Sequence, residues 1–566
     1  MRKLISILLA LSLPSAGWTA PAEQPSAEEP IPPRVGVSGE KREISLADVI
    51  ELALENNLDV EIERTNIETA KESLFGARGF LDPHFTFTPR VEDRSIPTSS
   101  TLIGIDGKLD QTIATFDAAW DQRLPWWGSS LRVALESTRQ TTTNPFEVLS
   151  PFNTARLGVS VTIPLTRNRK IDRARANLRI VNHQVGLSEA QFRLKVTDVV
   201  LSVQEAYWNL VAARQAVRVA SEAVKLGREQ LARTRRQIES GALAPVELAA
   251  AQAELERRVD TWYASIGLVT EVENALKMLI LPDESHPMWD DELIPADETT
   301  LEPPSYASVH EAVDVALRKR PELQVVDLRQ QTVRVQEQLA RNQVKTQVNL
   351  VGGYWVAGLS GVVAGRDNPF GRSFAEQFKR VNELSELAGL PPLEPPDFGA
   401  RAPTNLVGGY GLAWQHLFRA NFPTAMVGVQ FDLFAKNRAA KAELAKAAIA
   451  ERRLKLERRK LEQAIAAQVR NALQAIQTAR QRMAAAEASV RAAEEKLASE
   501  IRLFQTGEST NFMVLTRQNE LADSRRRAVV ARLDFNKAVA RAEQALGRTL
   551  EIHNIIIEPS GSIARR

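Results

Sequence analysis

The chain of 566 residues contains no cysteine, which excludes disulfides, thiolate metal sites and cysteine nucleophiles. It also lacks a dominant charge, because 72 Lys and Arg residues balance 70 Asp and Glu residues to a net charge of +2. Such a balance gives no reason to expect nucleic acid as a partner. After the first residues, no run of about 18 uncharged apolar residues occurs, so no later segment reads as a membrane-spanning helix.

The first residues have the form of a secretory leader. A positive start at Arg2-Lys3 precedes a short apolar run at residues 4–13, and residues 20–22 supply small side chains for cleavage. The apolar run is too short for a membrane anchor. We therefore predict a signal peptide at residues 1–22, followed by a flexible segment at 23–44, and we expect the mature protein to be either soluble in the periplasm or embedded in a membrane.

An internal duplication follows the leader. Three landmarks recur in the same order in both halves: an amphipathic segment (45–54 and 308–317), an alternating segment (158–163 and 428–433) and a glycine turn after a long helix (Gly241 and Gly507). Shared composition would not reproduce that order at a nearly constant separation, so the sequence predicts two tandem copies of one unit.

The duplication sets the predicted domain organisation. The segments are a first repeat at 45–281, a connector rich in Pro and Asp at 282–304, a second repeat at 305–548 and a C-terminal tail at 549–566. Each repeat is expected to contain a helix, strands, a long helix, a tip turn and a second helix. The strands are predicted at about 83–165 and 346–434.

The helices of each unit have matched lengths. Residues 436–506 contain no Gly or Pro and predict about 105 Å of helix, and residues 170–240 are similar. The flanking helices are about half as long and are predicted at 46–78, 246–281, 309–345 and 512–546. Two short helices end to end would therefore lie alongside one long helix, with strands at one end and the glycine turn at the other.

The composition of these segments favours a large assembly. Alanine is frequent on the helix faces, which permits close approach of several helices, whereas a two-stranded coiled coil would keep Leu or Ile at heptad positions. Aromatic residues concentrate between the helices, where barrels of transmembrane strands place them, although ordinary strands also contain them. The few strands expected in one chain cannot close into a barrel, so closure would need several chains in cyclic symmetry.

Residues 316–317 with Pro321-Glu322-Leu323, the passage ending Ile163-Pro164-Leu165 and the Gly241 and Gly507 turns resemble the TolC-like outer membrane efflux proteins. The resemblance covers nearly the whole mature chain. It implies an α+β membrane protein with duplicated helix-strand-strand-helix units, in which a homotrimer shares a twelve-stranded transmembrane β-barrel, four strands per chain, above a long α-helical periplasmic barrel. It further implies an outer-membrane channel without a cofactor, forming the passive exit duct of a tripartite efflux or type I secretion system.

The same resemblance suggests partners and contact residues. The partners are further copies of the chain, outer-membrane lipid, a periplasmic adaptor and an inner-membrane pump. The adaptor is expected to contact the tip turns, formed by Ser240, Gly241, Ala242, Leu243, Thr506, Gly507, Glu508 and Ser509. Candidate tunnel-entrance residues are Glu247, Met513 and Thr516. Related tunnels carry acidic residues where Met513 and Thr516 stand, so an acidic gate is doubtful, and Glu247 equally suits a helix N-terminus.

Other chemistry finds little support in the sequence. The six histidines show no metal-ligand spacing, and no phosphate-binding loop or nucleophile elbow occurs, so no enzyme, catalytic residue, metal or cofactor is predicted. The acidic residues 290–292 read as a solvated turn. The long segments 94–154 and 365–409 are expected to hold an extra hairpin and a short helix at 374–387, both outside the barrel wall or at its mouth.

Two other functions stay open. A soluble periplasmic adaptor also has a leader and helical hairpins, but it would surround one hairpin with compact β-domains. A structural spacer without transport would share the whole architecture. The transported substrate cannot be predicted from the sequence, because a conduit contacts its cargo through broad surfaces.

Overall fold

The computed structural model describes residues 34–37, 40–100, 103, 107–241, 243–297, 300–306, 308–365, 369–394, 402–558 and 561–565. The predicted signal peptide and most of the predicted flexible segment lie outside these residues.

Helices form most of the described chain. In the first half they are α1 (Leu46–Asn56), α2 (Leu58–Arg78), α3 (Arg173–Glu239) and α4 (Val246–Ile280); in the second half they are α5 (Val309–Lys319), α6 (Pro321–Gln343), α7 (Pro369–Leu387), α8 (Tyr410–Phe418), α9 (Arg438–Gln505), α10 (Asn511–Ala545) and α11 (Thr549–Ile552). The long helices α3 and α9 have 67 and 68 residues, which gives each a length of about 100 Å. No helix in the described part of the chain is both long enough and apolar enough to cross a membrane.

Each long helix is flanked by two shorter ones. Helices α2 and α4 contact α3, and α6 and α10 contact α9, while α3 also contacts α6 and α10 from the other half. The two predicted units therefore pack side by side. The largest core lies mainly in the first half, where α3 supplies residues such as Phe192, Tyr207 and Leu210.

The helices predicted at 46–78 and 309–345 are each broken in two, so their prediction as single helices was wrong. The first break lies at Asn57, whose backbone is extended and whose side chain accepts hydrogen bonds from the N–H groups of Asp59 and Val60. The second lies at Arg320, which precedes Pro321 at the start of α6. A proline disfavours helical dihedrals in the residue before it, whereas Asn57 ends one helix because it caps the next.

One antiparallel sheet joins the two halves. Its strands are β2 (His84–Pro97), β3 (Lys108–Arg123), β4 (Ser130–Thr142), β5 (Leu149–Pro164), β7 (Gln347–Val363) and β8 (Phe422–Asp432), and their spatial order is β2-β3-β4-β5-β7-β8. The first half thus contributes four strands and the second half two. The family resemblance implied four strands per chain, whereas this sheet has six, so that expectation was wrong.

The extra strands come from the segment 94–154. This segment does hold a hairpin, β3 and β4, but the expectation that it lies outside the wall was wrong. Strand β2 pairs with β3 along its whole length, and β4 pairs with β5, for example Leu135 with Leu157. Both outer sides of the hairpin are therefore hydrogen-bonded to the sheet. The hairpin lies between β2 and β5, which would otherwise be neighbours.

A small parallel sheet closes the connector between the repeats. Strands β1 (Lys41–Ile44) and β6 (Glu292–Pro295) pair in it, and a further antiparallel pair, β9 (Ile555–Ile557) with β10 (Ile563–Arg565), follows near the C-terminus.

The reading of residues 290–292 as a solvated turn was wrong for Glu292. Its side chain is largely buried and forms an ion pair with Arg214, the Nη2 to Oε1 distance being 2.8 Å.

Beside this pair lies a buried charge cluster. The Lys277 ammonium is 3.0 Å from Glu273 Oε1 and donates to the carbonyl oxygens of Trp289 and Asp291 at 2.7 Å. The other carboxylate oxygen of Glu273 accepts from Arg34 at 2.9 Å. Both Lys277 and Glu273 are 1% exposed, so each charge depends on its partners in place of water.

Replacing Lys277 with Met should destabilise the protein by about 3–5 kcal/mol, because it leaves a buried carboxylate and two carbonyls with fewer partners. The urea midpoint of unfolding of the full chain in detergent measures this. Glu457→Gln is the control, since Glu457 pairs with Arg453 on an exposed helix surface. An equal midpoint for the two variants would contradict the assignment.

Candidate functional site

The sheet has one apolar face. Because side chains alternate along a strand and paired residues share a face, the register assigns each residue to one of the two faces. The apolar face carries Phe85, Phe87, Val91, Phe116, Trp120, Leu131, Val133, Leu135, Leu157, Val159, Val161, Ile163, Leu350, Tyr354, Val356, Val427, Val429 and Phe431. Its strands have 11 to 17 residues, more than the roughly 9–11 that a tilted transmembrane strand needs.

The opposite face is polar and charged. Arg132 pairs there with Asp121 across neighbouring strands at 3.1 Å, and Arg156 lies 3.8 Å from Glu136. The Arg156 guanidinium also lies over the ring of Trp355, 5.4 Å from the ring centroid. Glycine is required at position 158, since a Cβ there would lie 1.8 Å from a carbon of the Trp355 ring. A sheet with one apolar and one charged face suits a wall between lipid and water.

The sheet also has two open edges. Within the described residues, β2 pairs only with β3, and β8 pairs only with β7. Open sheet edges are not tolerated in contact with lipid, because their backbone groups would lack partners. The sheet of one chain is therefore incomplete as a membrane-spanning wall.

The tip turns lie at the other end of the long helices. Gly241 and Gly507 adopt the left-handed conformation expected from the sequence, with φ of +75° and +80°. Of the other tip residues, Ser240 and Thr506 donate to carbonyls of the preceding turn, and the Ser509 hydroxyl contacts Glu500. Leu243 is half-buried and Glu508 is exposed, whereas Ala242 lies outside the described residues.

The candidate entrance residues do not form one group. Glu247 Oε2 accepts from the Asn511 side chain at 3.2 Å, which links the two halves. The Thr516 hydroxyl donates within its own helix to the Phe512 carbonyl, and the Met513 N–H donates to the capping hydroxyl of Thr510. Among the described residues, Glu247 is the one of these three whose side chain is hydrogen-bonded to the other half.

Asn511 and Arg258 connect the halves near the tip. Asn511 is 1% exposed, and its Oδ1 accepts from Gln230 at 2.6 Å and from Thr234 at 3.4 Å. Arg258 donates to Gln518 Oε1 at 3.1 Å and to Asn519 Oδ1 at 3.0 Å, both on α10. Burial lowers the pKa of Arg258, and its bonds to Glu254 oppose that effect. We call Arg258, Asn511 and their partners the tip cross-links.

Sequence reasoning missed both residues. Arg258 had one indirect signal, the glycine at position 227 within a long helix. A Cβ at Gly227 would lie 3.3 Å from the Arg258 side chain, so this glycine gives the guanidinium room beside α3. Asn511 had no comparable signal. No group of His, Asp or Glu suited to a metal ion occurs among the described residues.

Residues 108–279 match the family model described as outer membrane efflux protein. The chain carries an outer membrane efflux protein domain. This confirms the resemblance stated from the sequence and the expected mixed architecture of long helices and strands. The domain belongs to a family of transport proteins. The family description names the outer membrane, which is the location predicted from the sequence.

Solved structures share the fold of this efflux protein domain and extend it over 89% of the chain. The Campylobacter jejuni CmeC outer membrane channel has a TM-score of 0.59 at 15% identity, over 86% of its own chain. The Vibrio cholerae outer membrane protein VceC gives 0.57 at 15%, over 96% of its chain. The open state of the Neisseria gonorrhoeae MtrE outer membrane channel gives 0.57 at 16%, over 89% of its chain. No curated protein matches the sequence.

Removing the Arg258 cross-link should loosen the tip. Arg258→Met removes the donor to the buried Gln518 and the half-buried Asn519 on α10, at a cost of about 2–3 kcal/mol to local opening. Amide hydrogen exchange should therefore accelerate by roughly thirtyfold or more. Hydrogen exchange read over 223–258 and 511–525 measures this.

Arg257→Met is the matched control. Arg257 is the neighbouring residue, is exposed, and is hydrogen-bonded to Glu254 on its own helix. The Arg257→Met substitution removes the same charge but no hydrogen bond to α10. Equal exchange in the two variants would contradict a linking role for Arg258.

Proposed function

We propose that the chain is the outer-membrane subunit of a passive export conduit, in which the sheet spans the membrane and the helices form a periplasmic tunnel. The observation that carries the proposal is the sheet with one apolar face, one charged face and two open edges. The proposal makes the apolar face the lipid contact and the charged face the lining of an aqueous channel. The long helices then extend the channel away from the membrane.

Closure of the wall calls for further copies of the chain. Joining β8 of one copy to β2 of the next would remove both open edges, and a homotrimer would then contain eighteen strands, six from each copy. The helices support the same arrangement. Ile62 and Phe75 on α2, and Ile449 and Leu456 on α9, are exposed apolar residues that a neighbouring copy would cover.

The tip turns are proposed as the contact for a periplasmic adaptor. They lie at the opposite end from the sheet, and their exposed glycines let a partner approach the backbone closely. The tip cross-links are proposed to hold the entrance closed until the adaptor engages, when an inner-membrane pump would supply the energy. The names of CmeC and MtrE describe outer membrane channels, which supports the channel part of this proposal.

Efflux and type I secretion are both compatible with this duct. The soluble adaptor is the weaker alternative, because it would place its strands in compact domains and would not need a sheet with one face apolar along six strands. The structural spacer differs from the conduit only in lacking transport, so conductance separates the two.

Fractionation tests the location. The protein should be recovered in the outer membrane as a heat-modifiable oligomer, because the apolar sheet face requires lipid. Recovery in the soluble periplasm would sink the conduit and favour the adaptor.

Conductance in a planar bilayer tests the transport role. The double variant Arg258→Met with Asn511→Ala should conduct more than the unmodified protein, since it removes the tip cross-links that are proposed to hold the entrance closed. Arg257→Met should conduct like the unmodified protein. Absence of conductance from every variant would leave the structural spacer.

A further inference from the structure

Helix α8 has an unusual position on the sheet. It contacts β7 and β5, and it lies on the apolar face. Gly358 on β7 makes this contact so close that a Cβ there would lie 1.8 Å from the Ala413 carbonyl oxygen. Ala155 on β5 and Leu417 on α8 complete a small buried cluster with Ala413. The helix is thus fixed to the sheet through small residues and backbone.

The helix covers the row where the apolar face becomes polar. Ser137 on β4 and Ser360 on β7 share that face and are almost fully buried. The Ser137 and Tyr410 hydroxyls are 2.7 Å apart, and Ser360 donates to the Gly409 carbonyl at 3.0 Å. Two polar groups that would otherwise face outward are therefore paired beneath α8.

The buried imidazole of His416 on α8 is also paired within the chain. His416 is buried, its Nε2 lies 2.8 Å from the Asn405 carbonyl oxygen, and its Nδ1 lies 2.5 Å from the Asn421 side-chain amide. Such internal pairing is required in lipid, where water cannot supply partners, and is unnecessary in water.

One flank of α8, beside the residues that contact the sheet, is aromatic. Tyr410, Trp414 and Phe418 follow at a spacing of four residues, with neighbouring ring centroids 6.1 Å apart. Phe418 is 77% exposed. Aromatic residues at this spacing form one continuous surface on a helix, and it continues the apolar face of the sheet.

We propose that α8 is an external membrane-embedded helix that lies on the lipid side of the wall and contacts the acyl chains directly. It extends the apolar face over Ser137 and Ser360, towards the strand ends farthest from the long helices. The inference rests on the proposed membrane insertion of the sheet. The occupant is lipid because the charged lining is on the other face and the polar groups named above on α8 are paired within the chain.

The absence of native cysteine makes the test direct. Phe418→Cys receives a nitroxide spin label, and the protein is reconstituted in vesicles of phosphatidylethanolamine and phosphatidylglycerol. Collision with oxygen reports lipid exposure, and collision with a neutral nickel chelate reports water exposure. Val427→Cys on the apolar face and Thr424→Cys on the charged face of β8 are the matched references, both at exposed positions.

The Phe418 label should match Val427 in its ratio of oxygen to nickel collisions, several-fold above that of Thr424. A second variant, Gly358→Val with Phe418→Cys, should increase the label's mobility because the added side chain displaces α8.

Three outcomes overturn the proposal. A water-exposed Phe418 label beside a lipid-exposed Val427 label would refute it while leaving the conduit intact. A Phe418 label that meets neither agent would mean that another copy or protein covers α8. Water exposure at both Phe418 and Val427 would refute membrane insertion of the sheet as well.

Discussion

Unpaired backbone along β2 and β8 is the constraint on which the rest of the structure depends. Each strand of the sheet alternates apolar and polar side chains, so one face is suited to lipid, yet a lipid-facing sheet cannot end in open hydrogen-bonding edges. The chain does not close the sheet on itself. Under the proposed function it therefore needs copies of itself, and these copies would also cover the exposed apolar residues of α2 and α9 in the helical part.

The helical part follows from the same duplication. In each half, one long helix of about 100 Å has shorter helices beside it. The breaks at Asn57 and Arg320 occur at equivalent places in the two halves. The polar cross-links are less symmetric. Buried Lys277 and Glu273 near the connector and buried Arg258 and Asn511 near the tip link separate segments through charged or amide groups, each of which requires a specific partner.

Much of this architecture could be predicted because its signals are local. The lack of Gly and Pro over 436–506 predicts α9, and the glycines at 241 and 507 predict the left-handed turns. The break at Arg320 also had a local signal in Pro321, whereas Asn57 stands in a pattern that otherwise continues a helix. The position of the β3–β4 hairpin could not be predicted, since a strand alternates alike in a wall and in an external hairpin. Arg258 and Asn511 escaped prediction because their partners in the other half of the chain lie more than 200 residues away.

Electron cryo-microscopy of the assembled protein in lipid nanodiscs tests the central claim most directly. The account predicts a closed ring in which β8 of one copy is hydrogen-bonded to β2 of the next, six strands come from each copy, and the apolar face with Val159 and Val427 contacts lipid. A sheet whose edges remain open, or whose charged face with Arg132 and Arg156 contacts lipid, would contradict it.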